Sequence, residues 1–253
     1  HHLHDSANSI GEELGVLDVC PTKIQVEARI AKLSVGKHRR PVMMIGIDGG
    51  KAPVRPEPSA RKGKRGKGDW KEVKGFRIYL LNGKKIIHLI SWHQVASDQE
   101  LGQALRAIKD AGLVPEDQVR LCVIGDGAPW IWNRVHEIFP SAKEVLDFYH
   151  CAEYLHAVAD AHYGKGTPKA QEWVEATLTR LFDNQKGAVI AGLKRMTPST
   201  TEAEKQISTT IQYLSNHRKR LDYGTARRGG YHIGSGAIES ANKFIAHVRL
   251  KRS

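Results

Sequence analysis

Two apolar runs in the chain end in the same dipeptide, Asp-Gly. The first covers residues 42–47 and ends at Asp48-Gly49, and the second covers residues 119–125 and ends at Asp126-Gly127. Continuous apolar runs of this length, broken by glycine, are typical of strands that are buried on both faces. The sequence therefore predicts two buried strands, each of which ends at an aspartate.

The remaining periodicity predicts a hairpin and several helices. Residues 73–81 and 85–92 flank Asn82-Gly83, a strong signal for an antiparallel hairpin. Ser97 and Glu100 have the spacing of a capping box at the start of a helix. Residues 144–148 are predicted to form a further short strand, and residues 51–74 a loop. The predicted helices cover residues 22–33, 98–112, 130–139, 151–162, 168–183, 185–195, 201–221 and a last segment from about 236.

The charge is concentrated in two segments. The chain of 253 residues has a formal net charge of +12. Residues 51–74 contain nine Lys/Arg and three Asp/Glu, and residues 218–252 contain nine Lys/Arg and two Asp/Glu. Clustered positive charge indicates a polyanionic partner, because phosphate contacts gain from counterion release. The alternative is that both segments are simply solvated. A membrane surface is disfavoured, since residues 51–74 form no amphipathic face.

The two aspartates are candidates for a metal site. If their strands lie parallel and adjacent, Asp48 and Asp126 meet at the carboxyl ends, where open α/β sheets bind ligands. Paired carboxylates suit Mg²⁺, and in a basic protein they indicate phosphodiester chemistry. The alternative for each residue is ordinary turn chemistry. Glu239 is the candidate third ligand, although an acid in a first helical turn also complements the helix dipole.

Four blocks of sequence, taken together, resemble the DDE transposases of bacterial insertion sequences. The resemblance is to the ISKra family and, more distantly, to the Mutator-like superfamily. The blocks are Ile47-Asp48-Gly49-Gly50, residues 125–132 (GDGAPWIW), residues 146–150 (LDFYH) and residues 233–240 (IGSGAIES). The resemblance implies an α/β, RNase H-like mixed sheet with flanking helices and an all-helical insertion before the last catalytic helix.

The resemblance also implies a site and a division into domains. Asp48, Asp126 and Glu239 become the catalytic triad and the ligands of two Mg²⁺ (or Mn²⁺) ions, and Asp147 and His150 become an accessory Asp-x-x-His motif. The implied domains are an N-terminal, partly helical remnant (1–40), the first part of the core (41–150), the helical insertion (151–225) and the truncated final helix of the core (226–253).

Further residues are candidates for contacts with DNA. Trp130 and Trp132 could stack on a displaced base, or they could belong to the core. His150 could bond Asp147 or a phosphate, or be satisfied by a neighbouring residue. The candidate phosphate-binding residues share a position in the two basic segments; they are Arg61, Lys62, Lys64, Arg65, Lys67, Arg227, Arg228 and Lys243.

The expected activity is metal-dependent nicking of DNA and strand transfer in transposition. The expected partners are the transposon ends and target DNA, with a homodimer or larger assembly in the active complex. The sequence has no run of about 18 apolar residues that would span a membrane, so we expect a cytoplasmic, nucleoid-associated protein. Two alternatives stay open: a catalytically inactive or truncated DNA-binding relative, and an RNase H-like nuclease.

Overall fold

The fold is built on a mixed sheet of five strands. The computed structural model describes residues 15–54, 69–83 and 85–234. The strands are β1 (Val42–Val54), β2 (Asp69–Asn82), β3 (Lys85–Val95), β4 (Arg120–Gly125) and β5 (Lys143–Leu146), and their order in the sheet is β3-β2-β1-β4-β5. The first three strands pair antiparallel, whereas β4 and β5 pair parallel. This order, with flanking helices, confirms the predicted RNase H-like fold.

The first two strands are longer than the sequence predicted. β1 continues through Asp48-Gly49-Gly50 as far as Val54, and β2 already begins at Asp69. The prediction of a loop over all of residues 51–74 is therefore wrong at both ends. The two strands pair continuously, from Val42 opposite Leu81 to Val54 opposite Asp69. This pairing supplies backbone hydrogen bonds that the glycines do not interrupt. The hairpin of β2 and β3 about Asn82-Gly83 is confirmed.

Helices follow the strands much as the periodicity predicted. They are α1 (Lys23–Ser34), α2 (Asp98–Asp110), α3 (Pro129–Ile138), α4 (Phe148–Tyr163), α5 (Pro168–Phe182), α6 (Lys186–Arg195), α7 (Thr201–Asn216) and α8 (Tyr223–Arg228). Short 3-10 segments lie at Val16–Val19 and Arg218–Arg220. The capping box of Ser97 and Glu100 forms as predicted, because each side chain bonds the other residue's backbone N–H.

Three boundaries differ from the prediction. The strand predicted over residues 144–148 ends at Leu146, because Asp147 is already the N-cap of α4. The helix predicted over residues 201–221 ends at Asn216 and continues as the second 3-10 segment. The glycine-punctuated stretch after it starts within α8, which the sequence did not indicate. The last predicted helix, from about residue 236, lies outside the described residues.

The chain divides into two compact units. The first contains the described residues up to Leu121 together with Trp130–Ala142, and the second contains Cys122–Pro129 and the residues from Lys143 onward. In the first unit the buried side chains lie on the sheet and on α1, α2 and α3; they include Val26, Ile30, Met43, Ile45, Ile47, Phe76, Ile78, Leu101, Leu105, Ile108, Ile131 and Trp132. In the second they lie mainly on its helices; they include Leu155, Val158, Val174, Leu181, Leu214 and Tyr223.

Within the described ranges, no helix carries an apolar stretch of the length that crossing a membrane requires.

Candidate active site

Asp48 lies inside a strand and not at its end. It pairs with Gly75 of β2, and its Oδ1 accepts a hydrogen bond of 2.8 Å from the backbone N–H of Gly49. Because β1 continues for six residues beyond Asp48, the turn interpretation of this residue is wrong. The side chain is half-buried, and the bond to its neighbour fixes one carboxylate oxygen close to the strand.

Gly49 is required by a close approach and not by a turn. A Cβ atom at Gly49 would lie 2.9 Å from Cζ2 of Trp130 and 3.4 Å from Cδ of Lys74. Real Cβ atoms essentially never approach another atom as closely as 2.9 Å. The indole of Trp130 therefore packs directly on the strand, at the residue that follows Asp48.

Lys74 is a buried cation that the sequence reasoning missed. It is 7% exposed, lies opposite Gly49, and places its Nζ 4.2 Å from the centroid of the Trp130 ring. The same Nζ forms an ion pair of 3.0 Å with Glu72. Burying an ammonium is costly unless it is paired, and here a carboxylate and an aromatic face both compensate it. One signal was available: strand alternation places Lys74 on the same face as buried Phe76 and Ile78.

The predicted base-stacking residues differ in their environment. Trp132 is 3% exposed, so its ring belongs to the core, and the stacking prediction for it is wrong in this structure. Trp130 is partly buried, and the ammonium of Lys74 lies over its ring. Both residues are in α3, where the sequence already allowed a core position.

Asp126 follows β4 directly and forms a tight turn. Its Oδ1 accepts a hydrogen bond of 2.9 Å from the backbone N–H of Ala128, as expected for an aspartate that closes its own turn. Gly127 has a φ of 98°, a backbone conformation that residues with a side chain rarely adopt. The turn interpretation is therefore confirmed for Asp126. The same bond fixes the orientation of its half-buried carboxylate.

Side chains from β5, from α7 and from His217, the residue that follows α7, surround this turn. A Cβ atom at Gly127 would lie 3.0 Å from Leu146 Cδ1, Tyr213 Cε2 and His217 Nε2. The hydroxyl of Tyr213 donates a 2.6 Å hydrogen bond to the carbonyl oxygen of Asp126. Tyr213 and His217 were not candidates at the sequence level, because nothing local links them to a turn that lies about ninety positions earlier in the chain.

Asp147 is a helix cap. It is 1% exposed, and its Oδ1 accepts hydrogen bonds from the backbone N–H groups of Tyr149 (2.7 Å) and His150 (3.3 Å). Its own N–H bonds the carbonyl of Gly125 at 2.8 Å. The imidazole of His150 lies 3.6 Å from the carboxylate of Glu153, one turn along α4. The structure thus gives Asp147 an N-capping role and His150 a neighbouring partner.

Only part of the predicted DNA-binding set lies in the described residues. Arg227 and Arg228 are exposed; the guanidinium of Arg227 lies 3.3 Å from the centroid of the Phe182 ring, and Arg228 donates to Thr225 Oγ1. The others lie outside the described residues, as does the predicted catalytic Glu239; they are Arg61, Lys62, Lys64, Arg65, Lys67 and Lys243.

The donor chemistry at the two aspartates suits a hard divalent cation. Each carboxylate is half-buried and has one oxygen oriented by a backbone N–H, and carboxylate oxygens are the ligands that Mg²⁺ prefers. Within residues 15–54, 69–83 and 85–234, no three His, Cys, Asp or Glu side chains converge as a metal-binding group. Asp48 belongs to the first unit and Asp126 to the second.

Comparison with known proteins gives a distant structural similarity. No protein-family model and no curated protein matches the sequence. A solved structure, the Drosophila P element transposase strand transfer complex, is similar with a TM-score of 0.28 and 13% sequence identity. The similarity covers 68% of this chain and 49% of that one, so the chain spans about half the length of that transposase. The feature that identifies the RNase H-like fold is the order of the strands in the sheet.

Proposed function

We propose that the chain is the catalytic domain of a DDE transposase, which nicks DNA and transfers the resulting 3′ ends to a target. The observation that carries this proposal is the sheet order, in which β1 is the neighbour of β4, with Asp48 on β1 and Asp126 directly after β4. The motifs around these two residues are two of the four blocks that resemble the ISKra family. RNase H-like folds also occur in proteins with other functions, so the fold alone does not identify the activity.

Asp48, Asp126 and Glu239 are the proposed ligands of the metal. Two bound Mg²⁺ or Mn²⁺ ions would activate the attacking oxygen and stabilise the leaving oxygen of the phosphodiester. The chain's own contribution is to hold the carboxylates in fixed orientations. The backbone N–H groups of Gly49 and Ala128 do this for Asp48 and Asp126.

The two basic segments are the proposed binding site for the phosphates of the DNA backbone. Arg227 and Arg228 are exposed at the end of α8, and arginine suits phosphate because its planar fork matches two oxygens. Contacts of this kind make affinity depend steeply on salt. We therefore expect the DNA affinity to fall steeply as the salt concentration rises. A flat profile would remove phosphate contacts from the proposal.

A nicking assay tests the catalytic proposal. Purified full chain is incubated with Mg²⁺ and DNA that carries the transposon ends, and nicked and joined products are separated by denaturing electrophoresis. Asp48→Asn and Asp126→Asn should each abolish nicking, because an amide cannot replace a charged metal ligand. Asp110→Asn is the matched control: this aspartate is exposed at the end of α2, and the variant should nick like the wild type.

The products distinguish the proposal from its alternatives. Nicked ends joined to target DNA support a transposase, whereas nicks without joining indicate a nuclease. Cleavage that persists in Asp126→Asn would remove Asp126 from the mechanism. If the wild type binds DNA and does not nick it, the chain is a DNA-binding relative.

A further inference from the structure

Tyr213 holds the backbone of the proposed metal ligand Asp126. Its hydroxyl donates a 2.6 Å hydrogen bond to the carbonyl oxygen of Asp126, although the two residues are 87 positions apart. A carbonyl oxygen can only accept a hydrogen bond, so the hydroxyl of Tyr213 is the donor.

The ring of Tyr213 is itself fixed on two sides. It stacks on Tyr154 of α4 with ring centroids 4.0 Å apart and an angle of 11° between the planes. His217 meets it edge-on at 5.0 Å. Aromatic contacts of this kind restrict a ring beyond what its burial alone achieves. The hydroxyl is therefore aimed at Asp126 by packing, and the hydrogen bond does not depend on a mobile side chain.

A second set of contacts, from Glu144 through Arg220 to His217, leads to the same turn. The Nδ1 of His217 lies 3.1 Å from Nη1 of Arg220, and Arg220 also bonds and pairs with the carboxylate of Glu144 on β5. The guanidinium can only donate, so Nδ1 accepts and the proton of the neutral ring is on Nε2. Nε2 is the atom that a Cβ at Gly127 would approach to 3.0 Å.

We propose that Tyr213 is a positioning residue for the Asp126 carboxylate, so that the helices after β5 set the geometry of a metal ligand in the turn that follows β4. This inference rests on the function proposed above. Moving the backbone at Asp126 rotates the carboxylate that the Ala128 N–H holds. Groups that orient a ligand without touching the metal affect metal affinity by about 10–100-fold. The helical residues 151–225 thus contribute to the active site.

The test measures metal binding directly. Mn²⁺ is titrated into the full chain without DNA, and free Mn²⁺ is read by electron paramagnetic resonance. Tyr213→Phe keeps the stacked ring and removes only the donor, so it should fold normally and weaken Mn²⁺ binding by about 10-fold. Asp126→Asn should weaken it more. The matched control is Tyr163→Phe, which loses the same hydroxyl from α4 in the cluster around Trp173, and it should bind like the wild type.

Each outcome supports or refutes one statement. If Asp126→Asn weakens binding and Tyr213→Phe binds like the wild type, the inference fails and the proposed metal site stands. Equal weakening in Tyr213→Phe and Tyr163→Phe also overturns it, because the effect would then be a general loosening. If Asp126→Asn binds Mn²⁺ like the wild type, the metal role of Asp126 fails and the positioning role fails with it. Far-UV circular dichroism and the thermal midpoint of each variant confirm that folded proteins are compared.

Discussion

Gly127 is a residue at which a single added methyl group should be costly for two reasons, its backbone conformation and its close neighbours. Its φ of 98° is unfavourable for alanine by about 1–2 kcal/mol. The new Cβ would also lie 3.0 Å from atoms of Leu146, Tyr213 and His217. These neighbours cannot easily move, because Leu146 is fully buried and the other two are held by the contacts described above. Crowding of a packed site adds about 1–3 kcal/mol, so Gly127→Ala should destabilise by about 2–5 kcal/mol in total.

Gly166 provides a control for the backbone cost alone. Its φ is 72°, and a Cβ there would meet nothing within 4 Å. Gly166→Ala should therefore cost about 1–2 kcal/mol. Urea unfolding of both variants, followed by circular dichroism and analysed with a common slope, measures the difference. Equal destabilisation of the two variants would show that the turn at Asp126 is not crowded. It would refute the statement that Leu146, Tyr213 and His217 pack tightly against this turn.

Two further predictions concern the first unit. Burial, together with the charge of Arg77, lowers the pKa of His93 to about 4. Between pH 6.5 and pH 4 the unfolded chain therefore binds a proton at His93 that the folded chain does not bind, and the free energy of unfolding falls as the pH drops through that window. In urea unfolding, His93→Gln should make the free energy of unfolding depend less steeply on pH in that window. An unchanged pH dependence would refute this prediction. A double-mutant cycle of Lys74→Met and Trp130→Leu should give a coupling energy of about 1–2 kcal/mol, because the ammonium of Lys74 is desolvated over the Trp130 ring. A coupling energy within error of zero would contradict the cation–π contact.

Local patterns in the sequence were sufficient for most of the fold. The apolar runs, the Asn82-Gly83 hairpin and the Ser97 capping box each depend on neighbouring residues, and the structure confirms all three. The predicted end of β1 was wrong, because glycine ends a strand only when no neighbouring strand favours continued pairing. Here β2 pairs with it to the end, and Trp130 requires the absence of a side chain at Gly49.

The surroundings of the candidate site could not be predicted in the same way. Asp48 and Asp126 were recognisable from their position in or after apolar runs. Lys74 was detectable by strand alternation, which places a lysine among buried residues. Tyr213 and Arg220 carry no local signal, because their contacts are made with residues that only the fold brings close.

The long-range contacts around the Asp126 turn, made by Tyr213 and Arg220, also have a consequence for the order of folding. The bond from Tyr213 to Asp126 spans 87 residues, and the bond from Arg220 to Glu144 spans 76. Contacts between distant parts of a chain form late, since the loop entropy must be lost before the contact contributes. During synthesis, a chain that has not yet emerged beyond residue 220 cannot complete this turn. We therefore expect the Asp126 turn to gain its protection from hydrogen exchange only after the helical residues have folded.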